Sequence, residues 1–434
     1  MKSVLRFFLS GLFVFSVVFI WLMLLYQFVL SIGGFLWRMK VKKWPSRQNP
    51  PGKLPGVSIL IPARNEEKVI KKTIARMMEF NYPKKKLEII IINDGSVDRT
   101  RDIILAMQKR DGRIKLVDIP LDRSGRGKGG ALNWGLKEAT HDAVAIFDAD
   151  NIPEKDSLLQ LCQALTEDRR LAAVTGKFRA YNKRRNLLTR LINIESIAFQ
   201  WIIQAGRCRF FKITALPGTN FVIWKSVLKE IKGWDEQALT EDTELTFRIY
   251  AKGYMIKFLP TATTWEQEPE RLSTWVRQRT RWSRGNNYIL ATYGKKIFKT
   301  RPNITSVELL NLFYLYYFFI FAILFSDIIF LLSLFGLVHI RVVGPYSILW
   351  GLAFLLYALE VLIALSYERE DSASNLFLAI LAYFSYTKLW VFVVLKSLFQ
   401  DYVRKSSRTW DKTERFDIEP ENKKKKMSGQ NALS

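Results

Sequence analysis

Histidine and cysteine are nearly absent from this sequence of 434 residues, which contains two of each. His141 and His339 are too few for a histidine-based catalytic triad or a histidine-rich metal site, so any catalytic base has to be a carboxylate. Cys162 and Cys208 lack the spacing of metal ligands and suggest no disulfide framework. These shortages direct attention to the acidic residues.

Long apolar runs are plentiful, although the formal net charge is +26. Residues 4–37, 309–338, 345–367 and 376–399 are each long enough for a transmembrane helix, which takes about 20 residues. The first run is too long for a signal peptide, and no cleavage site of the usual kind follows it. The sequence therefore predicts a multi-pass protein of the cell membrane; the rival interpretation is that these runs are buried core helices.

The apolar runs divide the chain into regions. We expect an N-terminal transmembrane helix over 1–37, a basic linker over 38–56, a polar domain over 57–270, an interfacial region over 271–308, further transmembrane helices over 309–400 and a disordered basic tail over 401–434. Basic residues beside a span stay cytoplasmic, which places the polar domain inside the cell. They are Arg38, Lys40, Lys42, Lys43 and Arg47.

The C-terminal tail conflicts with this topology. Three further spans put the tail outside, yet its basic residues favour the inside. Either the run 309–338 re-enters or crosses twice, or the tail is exported against the rule.

Within the polar domain, short β-branched runs alternate with segments of helical spacing. Residues 57–63, 87–94, 114–120 and 142–150 read as buried strands, with helices between them. This alternation predicts an α/β domain with a mostly parallel sheet, in which ligands bind beyond the carboxyl ends of the strands.

Acidic residues follow these strands in the sequences ARNEE (63–67), NDGSVD (93–98) and DAD (148–150). Acidic side chains also cap helices, which is a sufficient explanation for Asp98 and Glu154. Asp148 and Asp150, two carboxylates one residue apart, suit a hard divalent cation shared with a diphosphate. A D-x-D pair alone is weak evidence, because short acidic pairs are common.

Two later segments add weight to that pair: TED at 240–242, at the head of an amphipathic helix, and VRQRTRW at 276–282. The ordered set NDGSxD, DxD, TED and QxxRW resembles the processive branch of glycosyltransferase family 2, the membrane synthases related to cellulose, hyaluronan and poly-N-acetylglucosamine synthases. The resemblance runs from about Val57 to Trp282 and includes the flanking spans. It implies a GT-A-like nucleotide-sugar transferase domain flanked by transmembrane α-helices.

The resemblance also implies roles on the donor side. Asp94, with Asn65 and Glu66 nearby, would contact the nucleoside of a UDP-sugar. Asp148 and Asp150 would hold the diphosphate through Mg²⁺ or Mn²⁺. Lys128, in the Gly-rich loop GRGKGGALN, would lie near the donor, although a basic Gly-rich turn can bind any anion or none.

On the acceptor side, Asp242 would be the general base, accepting the proton of the attacking hydroxyl. Arg281 would donate to the departing diphosphate. Trp282 and Gln278 would contact the acceptor sugar, since an indole covers the C–H face of a pyranose. Thr219, in LPGTN (216–220), matches a cellulose synthase turn in which Phe-Cys stands where this chain has Leu-Pro. For Arg277, Arg279 and Arg284, outside the motif, we expect contact with anionic lipid headgroups.

We therefore expect an inverting transferase that extends a β-linked polysaccharide from a UDP-sugar, with an accessory subunit or homo-oligomer completing the channel. The alternative is a glycolipid synthase acting on diacylglycerol. An inactive scaffold is disfavoured because the expected carboxylates are present, and nucleic acid is disfavoured as a partner because the arginines are dispersed among acids. Asp327, Glu360 and Lys388 lie within apolar runs and either pair with one another, reach water at the interface, or line the path of the product.

Overall fold

The structure is a computed structural model and describes residues 2–42, 54–297, 304–337 and 346–406. Most of the expected linker and nearly all of the expected tail lie outside these residues. The chain begins with α1 (Lys2–Lys42), a helix of 41 residues. At 1.5 Å per residue it is about 60 Å long, which exceeds the hydrocarbon thickness of a bilayer. Apolar side chains such as Phe7 and Leu22 remain exposed along it, as expected of a lipid-facing helix.

The polar domain contains an eight-stranded mixed sheet with the order β3-β2-β1-β4-β7-β6-β8-β5. Its strands are β1 (Val57–Ala63), β2 (Leu87–Asn93), β3 (Ile114–Asp118), β4 (Ala143–Ile146), β5 (Ile152–Pro153), β6 (Leu171–Ala180), β7 (Phe221–Trp224) and β8 (Met255–Glu266). Strands β1 to β4 pair with one another in parallel. Strand β7 is antiparallel to both β4 and β6. The predicted α/β fold with a mostly parallel sheet is confirmed. β4 is shorter than predicted because the chain leaves the sheet before the DAD sequence.

Helices cover both faces of this sheet. They are α2 (Ile70–Met78), α3 (Thr100–Gln108), α4 (Gly127–Glu138), α5 (Ser157–Leu165), α6 (Leu187–Ala198), α7 (Ala205–Phe211), α8 (Lys225–Glu230) and α9 (Glu241–Ala251). Successive residues of a strand point to opposite faces. In β2, accordingly, Ile89 and Ile91 join one core cluster while Ile90 and Ile92 join the other. Burial on both faces explains why this strand is continuously apolar.

The remaining helices follow the polar domain along the chain. They are α10 (Leu272–Ile297), α11 (Ile304–Phe313), α12 (Ile320–Leu334), α13 (Tyr346–Tyr367), α14 (Ala373–Phe384) and α15 (Tyr386–Leu398). A π-helical stretch, Tyr314–Phe319, joins α11 to α12, and another, Phe399–Val403, extends α15. Within the described residues, α1 and the segment Ser306–Ser333 are long and apolar enough to cross a membrane. The run 376–399 is not a straight span, because α14 and α15 meet at a 40° bend.

Glycines bring α1 close to the polar domain. A Cβ at Gly34 would lie 2.1 Å from the carbonyl oxygen of Trp201, and one at Gly206 would lie 2.3 Å from the carbonyl oxygen of Leu30. The indole N–H of Trp37 donates to the carbonyl of Phe258 in β8 at 3.1 Å. The long N-terminal helix is therefore packed directly against the domain.

The ionisable residues of the apolar runs separate into two cases. Lys388 donates to Asp327 at 2.8 Å, which confirms pairing for these two. Glu360 is 1% exposed, and its Oε1 has no hydrogen-bond partner among the described residues. Of the three alternatives for these residues, pairing with one another therefore holds for Asp327 and Lys388 but not for Glu360.

Candidate active site

Polar groups form hydrogen bonds with the DAD turn after β4. The backbone N–H of Asp148 donates to Asn151 Oδ1 at 3.0 Å and to the hydroxyl oxygen of Thr219 at 3.1 Å, and that hydroxyl donates in turn to Asn151. Asp150 is 2% exposed and accepts from the backbone N–H of Gln267 at 3.3 Å. The carboxylate of Asp148, by contrast, remains partly exposed.

Lys128, in the first turn of α4, contacts residues of several segments of the candidate site. Its amine donates to Asp148 Oδ1 at 2.5 Å and to the carbonyl of Gly218 at 2.8 Å, and lies 3.7 Å from Glu241 Oε1. Burial lowers the pKa of Lys128, but the carboxylates of Asp148, Glu241 and Asp242 outweigh burial and raise it above its usual value. This buried cation compensates the acidic residues of two different segments, the DAD turn and the TED sequence.

The TED sequence places two carboxylates at the start of α9, of which Glu241 is buried and Asp242 is half-buried. Burial raises the pKa of Glu241 to about 7 and also raises the pKa of Asp242, while the charge of Lys128 acts in the opposite direction on both. A Cβ at Gly218 would lie 2.9 Å from Asp242 Oδ2, and the φ of this glycine is +82°. Glycine is required there because it adopts this conformation freely and lets the backbone approach the carboxylate.

The QxxRW residues lie on α10, three and four residues apart, and therefore share one face of the helix. Arg281 donates to the carbonyl of Leu239 at 3.1 Å, and its charge lowers the pKa of both TED carboxylates. Gly285 lets α10 approach the same turn, because a Cβ there would lie 2.1 Å from Thr240 Oγ1. Trp282 is half-buried, and Gln278 Oε1 is buried without a hydrogen-bond partner among the described residues.

The residues predicted for the nucleoside lie at the ends of β1 and β2. Asp94 accepts from the backbone N–H of Gly125 at 2.7 Å, and its carboxylate lies 3.5 Å from Arg64 Nη1. A cavity opens beside Asp94, and Arg126, Trp134 and Glu236 are among its lining residues.

Two of the predicted donor residues, Asn65 and Glu66, connect the end of β1 to the segment after β2. Asn65 accepts from the N–H of Val97, and the N–H of Glu66 donates to Thr100. Sequence reasoning missed Arg64, Arg126 and Trp134, although the Gly-rich segment already contained Arg126.

Two of the three additional arginines contradict the expectation of lipid contact. Arg279 is 4% exposed and pairs with Glu195 at 2.9 Å, and Arg284 is 8% exposed and pairs with Asp401 at 2.7 Å. Arg277 is exposed. The buried pairs were invisible in the sequence because the partners lie 84 and 117 residues away along the chain.

Comparison with known proteins identifies the family of the chain. Residues 55–285 match the model of the family described as "Glycosyltransferase like family 2". The chain belongs to glycosyltransferase family 2. It is a glycosyltransferase, as the sequence motifs predicted.

Two curated relatives and one solved structure illustrate the similarity. The chain is 44% identical to the probable glycosyltransferase YdaM of Bacillus subtilis, over 94% of this chain and 98% of that protein. It is 33% identical to the poly-beta-1,6-N-acetyl-D-glucosamine synthase of Staphylococcus aureus, over 55% of this chain and 56% of that protein. The mannosyltransferase PcManGT of Pyrobaculum calidifontis, solved with GDP-Man and Mn²⁺, aligns with a TM-score of 0.58 at 19% identity, covering 87% of this chain and 99% of that one. This last match shows the shared GT-A-like fold.

The residues present fit a divalent cation in their chemistry. No group of three or more His, Cys, Asp or Glu side chains that could hold a metal occurs in the part of the chain that the structure describes. Asp148 and Asp150 are nevertheless two carboxylates one residue apart, and Mg²⁺ is commonly held by one or two carboxylates together with substrate phosphates and water. The Lys128 amine on Asp148 shows that this position attracts a cation.

Proposed function

We propose that the chain transfers a hexose or N-acetylhexosamine from a UDP-sugar to a growing β-linked polysaccharide, with inversion at the anomeric carbon. The observation that carries the proposal is the meeting of Lys128, Asp148, Glu241 and Asp242 beside Arg281 at one edge of the sheet. Such a cluster provides a proton acceptor and positive charge for a diphosphate leaving group. The named polysaccharide synthase among the relatives supports a polymer as product.

Asp242 is proposed as the base. Its pKa is raised above the usual value of an aspartate, chiefly by burial, which makes the carboxylate a stronger proton acceptor. Glu241 lies beside it with a pKa of about 7. The two neighbouring carboxylates titrate together, so the acidity of the base belongs to the pair.

Leaving-group charge would be neutralised by two residues of this chain. Lys128 lies beside Asp148, and Arg281, on α10, donates hydrogen bonds in a planar fork that matches phosphate oxygens. Asp148 and Asp150 would hold Mg²⁺ or Mn²⁺, which supplies further positive charge to the diphosphate when bound. Asp94, with Asn65 and Glu66 nearby, is proposed to bind the nucleoside.

Trp282 and Gln278 are proposed to contact the acceptor sugar. For Thr219 the contacts support a different use from the one expected, because its hydroxyl is buried between Asn151 and the N–H of Asp148. We infer that Thr219 orients the DAD turn and reaches the acceptor only through it.

Contacts along α14 and α15 support a revised topology. Arg190 of α6 donates to Asn375 at the beginning of α14, Tyr386 at the beginning of α15 donates to Glu195 of α6, and Asp401 beyond its end accepts from Arg284 of α10. We infer that this segment is a broken helix held by the catalytic domain, and that it enters the bilayer without crossing it, because Lys388 of α15 reaches Asp327 within the span 306–333. The spans are then α1, the segment 306–333 and α13, with the domain and the C-terminus both cytoplasmic. This arrangement puts the basic tail on the cytoplasmic side, where basic residues next to a span are favoured.

Product analysis tests the proposal. Purified full-length protein would be incubated with Mg²⁺ or Mn²⁺ and each of several radiolabelled UDP-sugars, with Asp242→Asn as the inactive control. We expect label in a high-molecular-weight, lipid-free product. Label in the lipid extract would support the glycolipid alternative, and no transfer from any UDP-sugar would overturn the proposal.

A further inference from the structure

Arg279 forms a buried cage with aromatic side chains beside the proposed acceptor site. Its guanidinium carbon lies 3.9 Å from the ring centroid of Trp282. The same carbon lies 5.8 Å and 5.7 Å from the ring centroids of Trp275 and Trp390. A cation over an indole face at these distances is attracted by the ring, and more strongly when it is desolvated.

Glu195 of α6 fixes the guanidinium in this place. Its Oε2 accepts from Arg279 Nη2 at 2.9 Å and from the hydroxyl of Tyr386 at 2.8 Å, and its Oε1 accepts from the indole N–H of Trp390 at 2.7 Å. Trp275 donates to the same tyrosine oxygen at 2.9 Å. The Glu195 carboxylate thus connects α15, through Tyr386 and Trp390, with α10, through Arg279.

The arrangement favours the flat face of the guanidinium over its hydrogen bonds. Nε and Nη1 of Arg279 are buried without a hydrogen-bond partner among the described residues. A buried arginine that served only to pair with Glu195 would leave a costly share of its N–H groups unused. Its shortest ring contact is with Trp282, the residue proposed to contact the acceptor sugar.

We propose that Arg279 is a positioning residue, which fixes the ring plane of Trp282 so that the indole can receive the acceptor sugar. Glu195, Tyr386 and Trp390 hold Arg279 in turn, which makes the α14–α15 segment part of the acceptor site. This inference rests on the proposed function, because it requires a sugar acceptor at Trp282.

The test separates acceptor binding from donor chemistry. Radiolabelled UDP-N-acetylglucosamine and UDP-glucose would be tried in turn, with β-linked oligomers of the same sugar as acceptors, and release of UDP without acceptor measured alongside. Arg279→Lys keeps the charge but loses the planar face. We expect the acceptor KM to rise about tenfold, which corresponds to 1.4 kcal/mol, with donor KM and acceptor-free UDP release unchanged. Arg277→Lys, on the same helix but exposed, is the matched control and should behave as wild type.

A double-mutant cycle distinguishes positioning from mere structural support. In a Trp282→Leu background, Arg279→Lys should have no further effect on acceptor KM, because the ring it positions is gone. If Arg279→Lys fails to fold, the neutral pair Arg279→Met with Glu195→Met, which leaves no lone buried charge, replaces it in both backgrounds. An unchanged acceptor KM, a parallel loss of donor binding, or an undiminished effect without Trp282 would overturn the inference. A wild type that releases no UDP from either sugar would instead defeat the proposed function first.

Discussion

Asp242 and its surroundings lead to the most direct prediction for a single residue. Asp242→Asn keeps the shape of the side chain and removes the proton acceptor, so UDP-sugar binding should remain while transfer falls by about 10²–10⁴-fold. Single-turnover transfer and equilibrium binding of the UDP-sugar would measure the two effects separately. Asp168→Asn, at the exposed end of the sheet opposite the site, is the control and should keep full activity. Near-normal turnover of Asp242→Asn would assign the base elsewhere.

The pair Glu241 and Asp242 should also determine how the transfer rate depends on pH. The pKa values of both carboxylates are raised, that of Glu241 to about 7, and the two titrate as a pair, so the pair loses its last proton only as the pH rises through about 7. The transfer rate at saturating substrates should therefore rise through about pH 7. Glu241→Gln removes a neighbouring negative charge and should move this rise to lower pH. A rate that is flat from pH 6 to about pH 8 would contradict the assignment of this pair.

Asp150 provides the corresponding test for the cation. Asp150→Ala removes one of two proposed ligands, so UDP-sugar binding should weaken when Mg²⁺ or Mn²⁺ is present, and little difference from wild type should remain when EDTA is present. Isothermal titration calorimetry with UDP, with and without the metal, measures both conditions. If EDTA leaves wild-type activity intact, Lys128 and Arg281 must neutralise the diphosphate alone.

At the scale of elements, the docking of α1 depends on its glycines. Gly34→Val places atoms within 2.1 Å of the Trp201 carbonyl, a backbone group that cannot move aside without shifting its helix. We expect lower yield of folded protein and a lower melting temperature, although valine is the better helix former. Gly11→Val is the matched control, since nothing lies within 4 Å of a Cβ there. Equal thermal stability of the two variants in detergent would contradict this account of the packing.

The elements differ in how far the sequence determined them. The first strands of the sheet were predictable, because strands such as β2 are buried on both faces and read as continuous apolar runs. The bend at Ser385 was not, since hydropathy over 376–399 is the same for a straight span and a broken one. The candidate site shows the same division: short motifs predicted Asp148, after a strand, and Asp242, at the start of a helix. Glu195 was missed because its role exists only once α6 meets α10 and α15.

For the whole molecule, the orientation of the C-terminus can be measured with introduced cysteines. Both native cysteines are buried, so a new surface cysteine should be the main reactive thiol. Arg404→Cys and Val97→Cys should be protected from a membrane-impermeant maleimide in intact cells, whereas Leu337→Cys, beyond α12, should be labelled. Labelling of Arg404→Cys from outside would show that α14 and α15 cross the bilayer after all.

The buried ion pairs between the catalytic domain and the C-terminal helices limit how the enzyme can be dissected. Arg179 lies 2.6 Å from Glu368, and Arg284 lies 2.7 Å from Asp401, with both arginine side chains less than a tenth exposed. A soluble fragment ending after α10 would retain the two arginines and lose both carboxylates. Breaking a buried pair from one side costs about 3–5 kcal/mol, and two such losses approach the whole folding stability of an ordinary domain, about 5–15 kcal/mol. The catalytic domain therefore cannot be separated from the helices that follow it, and its expression and assay require them.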